Sequence, residues 1–391
     1  MERNALMKGQ KELQKTVLDT GLCTHCGACV NLCPYAAAYR DHTILLDVCG
    51  RDEGRCYAFC PRTPTDLETL RAKLFDPADL TPELGAMKGF FMTRAADPAV
   101  RKASQHGGTV TALISLALDE GLIDTAILAE DGGGFLPQGA MVRKGSDPGK
   151  WGKSKFVVSP GLAAFHRAAK GAAEKIGVVA TPCQALALAK MRLKPFPEQD
   201  SNIDKLKLVI GLFCGWALSW RELKKLLEEK FGAGSVLNLD IPPSKHNSME
   251  VHTRSGIVEV PIDEVLPLVR KSCRHCLDMT AEFSDLSVGS GRSPEGWEAA
   301  RGWNQVIVRT RAGQDLLDLG RSRKALEFRD MPEGNLERLK RASWKKKRTG
   351  IRNLTEMSGS PEDLLYLDGR DPVLRTLVEN PENGNPLAFG A

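Results

Sequence analysis

Four cysteines near the amino terminus have a spacing that is typical of iron–sulfur proteins. The pattern is C-x2-C-x2-C-x3-C-P, formed by Cys23, Cys26, Cys29, Cys33 and Pro34. In such a motif three thiolates of one loop bind the same 4Fe-4S cluster, while the fourth cysteine usually binds a second cluster. Structural zinc sites more often contain two separated C-x2-C pairs, which makes zinc the less favoured alternative. The motif therefore predicts that the chain carries electrons.

The next three cysteines form an incomplete second motif. Cys56, Cys60 and Pro61 repeat the C-x3-C-P ending, but the middle cysteine is missing, and Asp52 stands three residues after Cys49. In two-cluster ferredoxins the last cysteine of each motif binds the other cluster. The spacing therefore predicts two ligand sets, Cys23, Cys26, Cys29 and Cys60 for the first cluster and Cys33, Cys49 and Cys56 for the second.

The second ligand set contains only three thiolates. We therefore expect either a 4Fe-4S cluster that is completed by Asp52, Glu53 or a ligand from outside the chain, or a 3Fe-4S cluster. A degenerate, empty second site is the alternative, because cluster binding depends on the number of thiolates.

Composition narrows the class of protein. A chain of 391 residues with 42% hydrophobic residues is long enough for two or three domains. Its net charge of +5 does not indicate nucleic-acid binding. No segment approaches the roughly 20 apolar residues that cross a bilayer, and the amino terminus lacks the apolar part of a secretory signal. Because seven of the 11 cysteines have cluster spacing, we expect no disulfide framework and a soluble protein of an anaerobic cytoplasm.

From about residue 85, predicted helices and short apolar strands alternate. The helices are VTALISLALDEG, LAAFHRAAKGAAEK, QALALAKMRLK and WRELKKLLEEKFG, and the strands between them are TAILAE, IGVVATP and KLKLVIGLFCG. This alternation predicts an α/β fold with a largely parallel sheet. MEVHTRSGIVEVPI predicts an antiparallel hairpin with its turn at Ser255 and Gly256, and WNQVIVRT predicts a later strand. We expect a ferredoxin-like domain over residues 1–75 and the α/β core over residues 85–335.

A basic run, LKRASWKKKRTG, covers residues 339–350. It could bind an acidic redox partner or a membrane surface, although such runs are more often a solvated face. We expect residues 336–391 to form a basic carboxy-terminal extension with little periodicity after about residue 350.

Four further cysteines lie at suggestive places in the predicted core. Cys183 and Cys214 follow predicted strands, and Cys273 and Cys276 form a C-x2-C pair in a polar loop. Strand ends of an α/β sheet meet at one edge, where ligands bind. Alone, such a cysteine is usually core filling, and a C-x2-C pair is a zinc site or a redox dithiol. Together they supply the four thiolates that one 4Fe-4S cluster needs.

The stretches around these cysteines resemble the coenzyme F420 hydrogenase/dehydrogenase beta-subunit family. The resemblance spans roughly residues 85–345 and is carried by SQHGGTVTALISLALDEGLID, GKSKFVVSP, VATPCQALAL, IGLFCGW and CRHCLDMTAEFSDLSVGSGRSPEGWEAARGWNQVIVRT. It implies an oxidoreductase core that carries FAD and a 4Fe-4S cluster, with Cys183, Cys214, Cys273 and Cys276 as the cluster ligands. With the amino-terminal motifs, two to three clusters are expected.

A glycine-containing loop before a predicted helix is the candidate flavin site. Exposed N–H groups at a helix amino terminus favour a pyrophosphate, and glycines permit close backbone approach. The candidates in this loop are Ser104, Gln105, His106, Gly107, Gly108, Thr109 and Thr111. Lys153, Ser154 and Lys155 add donors and charge for a phosphate or a reduced flavin. A structural helix cap and solvated lysines are the alternatives.

The resemblance also implies a partner, since family members serve hydrogenases, formate dehydrogenases and membrane or heterodisulfide-reductase-like complexes. We expect a subunit that exchanges hydride or electrons between a soluble donor (coenzyme F420, NADH or ferredoxin) and such a catalytic subunit. A stand-alone ferredoxin-dependent reductase and a non-catalytic cluster sensor are the alternatives, because a fold alone does not determine function.

Overall fold

A computed structural model describes residues 8–147, 151–196, 201–242 and 247–379. Its α-helices are α1 (Gln10–Leu13), α2 (Arg55–Ala58), α3 (Leu67–Leu74), α4 (Pro98–Ala103), α5 (Thr109–Asp119), α6 (Gly161–Lys170), α7 (Pro182–Arg192), α8 (Trp220–Phe231), α9 (Ile262–Val265), α10 (Lys271–Arg274), α11 (Trp297–Ala300), α12 (Arg311–Ser322), α13 (Asn335–Ser358) and α14 (Pro372–Glu379). A π-helical turn, Gln14–Leu18, continues α1, and 3-10 turns cover Pro77–Asp79, Ile203–Lys205 and Leu266–Leu268.

The strands are β1 (Ala36–Tyr39), β2 (His42–Leu45), β3 (Leu80–Thr81), β4 (Gly85–Ala86), β5 (Gly89–Ala95), β6 (Thr125–Asp131), β7 (Pro137–Val142), β8 (Ile176–Ala180), β9 (Leu206–Leu212), β10 (Val236–Asp240), β11 (Ser248–Thr253), β12 (Gly256–Pro261), β13 (Leu286–Ser290), β14 (Asn304–Val308), β15 (Leu326–Arg329), β16 (Asp363–Leu364) and β17 (Leu367–Asp368). No helix within the described ranges has the length and apolar character needed to span a bilayer.

An eight-stranded sheet forms the centre of the fold, in the order β15-β5-β14-β13-β9-β8-β6-β7. The neighbours β13, β9, β8 and β6 run parallel. The chain passes from β6 through β7 and α6 to β8, and α7 is the crossover between the parallel strands β8 and β9. The outer pairs are antiparallel. The predicted α/β core with a largely parallel sheet is confirmed.

The predicted hairpin is also confirmed. Strands β11 and β12 pair antiparallel with Thr253 opposite Gly256, and β10 completes a separate three-stranded sheet. Met249, Val251 and Val260 pack in a core of their own beneath this sheet, together with Leu223 of α8. This small sheet lies beside the candidate flavin loop, since the Gln105 side chain donates to the Leu239 carbonyl of β10.

The carboxy-terminal helix α13 is 24 residues long and packs against the core. The expected loss of periodicity after residue 350 was wrong, because buried positions of α13 recur every three or four residues. They are Asn335, Leu339, Ser343, Lys347, Gly350, Ile351 and Leu354. The basic run is therefore more than a solvated face. The division into residues 1–75, 85–335 and 336–391 stays a prediction.

The cysteine-rich amino-terminal segment packs against α6. The Cys26 carbonyl accepts from the Leu162 amide at 3.1 Å, and the Asn31 side chain donates to the Ala163 carbonyl at 3.0 Å. Gly27 makes this approach possible: its φ is +87°, and a Cβ there would lie 2.6 Å from the Pro160 carbonyl oxygen. Only glycine tolerates both the conformation and the contact.

Prediction: Lys347→Met destabilises the fold. The Lys347 ammonium pairs with the Glu282 carboxylate, and both side chains are less than a tenth exposed. Removing one partner of a buried pair leaves an uncompensated charge, which costs about 3–5 kcal/mol. Denaturant unfolding followed by circular dichroism measures the loss. Lys345→Met is the matched control, since Lys345 is exposed on the same helix. Equal unfolding midpoints for the two variants would contradict the assigned role of the pair.

Candidate metal centres and cofactor cavity

The structure brings Cys23, Cys26, Cys29 and Cys60 together as neighbours. Burial raises the pKa of the Cys29 thiol well above its usual value, and the thiols of Cys23, Cys26 and Cys60 raise it further. Burial also raises the pKa of Cys60 to about 12, although the Lys190 ammonium acts against this rise. The four thiols therefore lie near one another, and a cluster bound by them stays a prediction.

The second predicted set is also grouped. Burial raises the pKa of the Cys56 thiol to about 11, and the thiols of Cys33 and Cys49 raise it further. Cys33 is exposed, so this set lies at the surface. The side chains of Asp52 and Glu53 are exposed, and neither is among the main influences on Cys56. A fourth ligand from Asp52 or Glu53 stays a prediction.

The core cysteines come from three elements around one sheet edge. Cys183 lies in the first turn of α7, where Thr181 and Gln184 form a capping box. Cys214 follows β9, and the remaining two flank the end of α10. Burial raises the pKa of the Cys214 thiol, which is then lowered by Lys346 and raised by the three other thiols, Cys273, Cys183 and Cys276. The predicted set of four is thus assembled in space.

Within the described ranges, no three His, Cys, Asp or Glu side chains are placed to hold a single metal ion. The number of clusters, and the cysteines that bind each of them, stay a prediction. The core set and the first amino-terminal set are adjacent, because the Cys183 thiol is the largest charge influence on Cys26.

A cavity of about 360 Å³ joins the core cysteines to the candidate flavin loop. Nine of the ten residues predicted for flavin line this cavity: Ser104, Gln105, His106, Gly108, Thr109, Thr111, Lys153, Ser154 and Lys155. The same cavity is lined by Cys183, Cys214, Cys273, Cys276 and Cys26. Gly107 is not part of the lining, and it is packed against Asn304, whose Oδ1 would lie 2.6 Å from an added Cβ.

Two segments are joined to form the polar wall of the cavity. The Gln105 amide donates to the Gly152 carbonyl at 2.6 Å, and the Ser154 amide donates to Gln105 Oε1 at 3.2 Å. Gly108 adopts a left-handed conformation with φ of 78° and begins α5. Burial lowers the pKa of the Lys155 ammonium. The wall therefore combines a helix amino terminus with a lysine, which suits an anionic group.

Not every residue of the predicted loop offers its side chain to the cavity. The Thr109 hydroxyl bonds with the Thr93 hydroxyl at 2.9 Å inside the core. His106 Nδ1 lies at hydrogen-bond distance, 3.2 Å, from Ser290 Oγ, whereas His106 Nε2 lies 3.4 Å from Asp240 Oδ2 without forming a hydrogen bond. These contacts fix the loop and leave its backbone and the remaining side chains to face the cavity.

Three cations near the thiols, of which Lys190 and Arg62 are buried, had not been predicted as site residues. Lys190 donates to oxygens of Cys60, Thr63, Pro64 and Thr65, and burial lowers its pKa to about 8. Arg62 and Lys346 line the cavity beside the core cysteines. Arg62 directly follows the C-P ending of the second motif, and this position could have identified it as a site residue. No local sequence feature identified Lys190 or Lys346.

Two histidines between the cysteines are buried. The exposed fractions of His25 and His275 are 1% and 8%. His25 Nδ1 lies 3.1 Å from the Thr43 hydroxyl of β2, and burial lowers the pKa of His25 to about 4. The β1–β2 hairpin thus covers the part of the first cysteine loop that contains His25.

Comparison with known families identifies three regions. Residues 173–334 match the carboxy-terminal part and residues 90–166 the amino-terminal part of the coenzyme F420 hydrogenase/dehydrogenase beta subunit. Residues 16–39 match the 4Fe-4S binding domain. The ferredoxin-like character of the amino-terminal region and its 4Fe-4S binding are thereby confirmed.

Individual relatives agree with these regions. The coenzyme F420 hydrogenase subunit beta of Methanothermobacter thermautotrophicus is 33% identical over 60% of this chain and 81% of its own length. A subunit of the F(420)H(2) dehydrogenase of Methanosarcina mazei is 28% identical over 82% of this chain and 88% of its own length. The coenzyme F420-dependent sulfite reductase of Methanocaldococcus jannaschii is 26% identical over 83% of this chain, which spans half of that protein.

A solved structure has the same fold. A chain of the F420-reducing [NiFe] hydrogenase complex from Methanosarcina barkeri superposes with a TM-score of 0.64 and 26% identity, covering 71% of this chain and 94% of its own length. The motifs around the core cysteines, the two matched regions and this fold agree. The chain belongs to the coenzyme F420 hydrogenase/dehydrogenase beta-subunit family.

Proposed function

We propose that the chain is an electron-transfer oxidoreductase subunit that links a soluble two-electron donor, through FAD and 4Fe-4S clusters, to a catalytic partner subunit. The observation that carries the proposal is the shared cavity, whose lining contains both the polar flavin loop and the four core cysteines. A flavin there would lie next to the core cluster. Such placement is the protein's main contribution to cofactor chemistry.

The lining fits FAD. FAD supplies the exchange between a hydride, which carries two electrons, and the single electrons that an iron–sulfur cluster accepts. Its pyrophosphate would be held by the start of α5 with the 104–108 loop, and by Lys153 and Lys155 of the segment that is hydrogen-bonded to this loop. Gly107 and Gly152 allow the backbone segments of this wall to pack closely. A Cβ on Gly152 would lie 2.5 Å from the Ala103 carbonyl oxygen.

The three thiol sets have a defined order from the cavity to the surface. The core set lines the cavity, and its Cys183 neighbours Cys26 of the first set. Cys29 of the first set neighbours Cys56 of the second, whose Cys33 is exposed. Each set thus lies near the next, which supports a path for single electrons between the cavity and a partner docked near Cys33.

The relatives support a partner subunit and a donor. Their names describe subunits of a coenzyme F420 hydrogenase and of an F(420)H(2) dehydrogenase. We propose a corresponding partner here, with coenzyme F420, NADH and ferredoxin as the donors to compare, and the cytoplasm as the compartment.

Optical reduction of the anaerobic protein by each reduced donor tests which of them supplies the electrons. A protein that is reduced by none of them would be a cluster sensor, and one that turns over a substrate without a partner would be a stand-alone reductase.

Prediction: Cys273→Ala and Cys56→Ala remove different clusters. Each variant is expected to lose about three or four irons per chain, because each removes one thiolate of a different set. Cys273→Ala should stop electron transfer from reduced flavin to the amino-terminal clusters, whereas Cys56→Ala should leave reduction of the first cluster intact. Iron analysis and freeze-quench EPR measure both effects. Unchanged iron content in Cys273→Ala would contradict a cluster in the core.

Prediction: Gly107→Ala lowers flavin content at least tenfold. The new Cβ would displace Asn304, whose Oδ1 accepts from the Thr109 amide at the start of α5 at 3.2 Å. Gly302→Ala is the matched control, because nothing lies within 4 Å of a Cβ at that neighbouring position. The ratio of FAD to protein after anaerobic purification gives the result. Equal flavin content in the two variants would contradict a flavin site at this loop.

A further inference from the structure

The three consecutive lysines of the basic run have three different environments. Successive side chains on a helix are about 100° apart, so only some of them face the core. Lys345 is exposed, Lys347 pairs with buried Glu282, and Lys346 reaches the cavity. Lys346 Nζ donates to the carbonyls of Cys214 at 2.6 Å and Gly215 at 2.8 Å. A fixed ammonium group therefore lies at the backbone of a core cysteine.

A second cation lies beside the same cysteines. The Arg62 guanidinium donates to the Ser272 carbonyl at 3.0 Å and to the Tyr366 hydroxyl. Its exposed fraction is 5%, and it lines the cavity together with Cys276. Because the guanidinium is always charged, its position adds a permanent positive charge at this site.

The anionic groups nearby do not cancel these two cations. Asp278 is half-buried and lies two residues after Cys276. Its carboxylate accepts hydrogen bonds from the backbone amides of Thr280 and Glu282, both at 2.9 Å. The charge of Glu282 is compensated by Lys347. Lys347 and the buried Arg309 also act on Asp278 and Glu282, so that four cations, Arg62, Arg309, Lys346 and Lys347, face two carboxylates around the core thiols.

Both cations come from outside the regions that match the known families. Those regions are residues 16–39, 90–166 and 173–334, so that Arg62 lies between two of them and Lys346 follows the last. The amino-terminal module and the carboxy-terminal helix thus each supply one positive charge to the core cysteines.

We propose that Lys346, assisted by Arg62, raises the reduction potential of the cluster held by Cys183, Cys214, Cys273 and Cys276. The inference rests on the proposed function, since it needs a cluster at these thiols. On reduction the cluster gains one electron from the reductant, and no bond forms or breaks. A fixed cation stabilises the added negative charge, and it does so strongly in a buried site of low polarity. In this role Lys346 acts through the position of its charge, and its side chain contacts no reacting atom.

The test is a dithionite titration monitored by EPR on the anaerobic full-length protein. Lys346→Gln is expected to shift the reduction equilibrium of the core cluster about tenfold towards the oxidised form, which equals about 59 mV for one electron. Lys346→Arg keeps the charge and should restore the wild-type potential. Lys345→Gln, on the exposed neighbour, should leave the potential unchanged. A merely structural role would alter cluster content and leave the potential of the intact cluster as it is.

The outcomes separate this inference from the proposed function. If Lys346→Gln contains the full amount of iron and has the wild-type potential, the inference is overturned while the proposed function stands. If Cys273→Ala loses no iron, the core holds no cluster and the proposed function fails first. If Lys346→Gln does not assemble the cluster, Arg62→Gln decides: a lowered potential supports the inference, and an unchanged potential overturns it.

Discussion

The close approach of the first cysteine loop to helix α6 is the constraint on which the other features depend. Gly27 lies so near the Pro160 carbonyl that no side chain fits, and the Cys26 carbonyl caps the start of α6 through Leu162. This contact places the Cys26 thiol beside Cys183. Without it, the amino-terminal module and the core would be two electron carriers with no short path between them.

Buried cations reinforce the same junction. Lys190 of α7 is enclosed by carbonyl and hydroxyl oxygens of the segment from Cys60 to Thr65, so that it ties the core to the module. Arg62 extends from that segment to the loop of Cys273 and Cys276. Removing charge from water is costly unless hydrogen bonds compensate, and both side chains have several partners. The junction thus combines hydrogen bonds between the module and the core with positive charge next to the thiols for which clusters are proposed.

Much of the site could be predicted because it is encoded locally. The spacing between Cys23 and Pro34 identifies the first motif, and the positions of Cys183 and Cys214 after apolar strands identify the sheet edge. The cations could not be found in this way, because their partners are distant in sequence. Lys346 is 132 residues from Cys214, and Arg62 is 210 residues from Ser272. The extent of α13 was missed for a related reason, since its buried positions include lysine and serine and do not form an apolar stripe.

The central claim is that the thiols form three cluster sites in a row from an internal cavity to the surface. Anomalous diffraction at the iron edge, from crystals grown without oxygen, tests it most directly. We expect three iron-containing peaks, one within each thiol set, with the density of a flavin in the cavity beside the core set. Thiols that are bridged to one another, or peaks that appear only at the zinc edge, would contradict the claim.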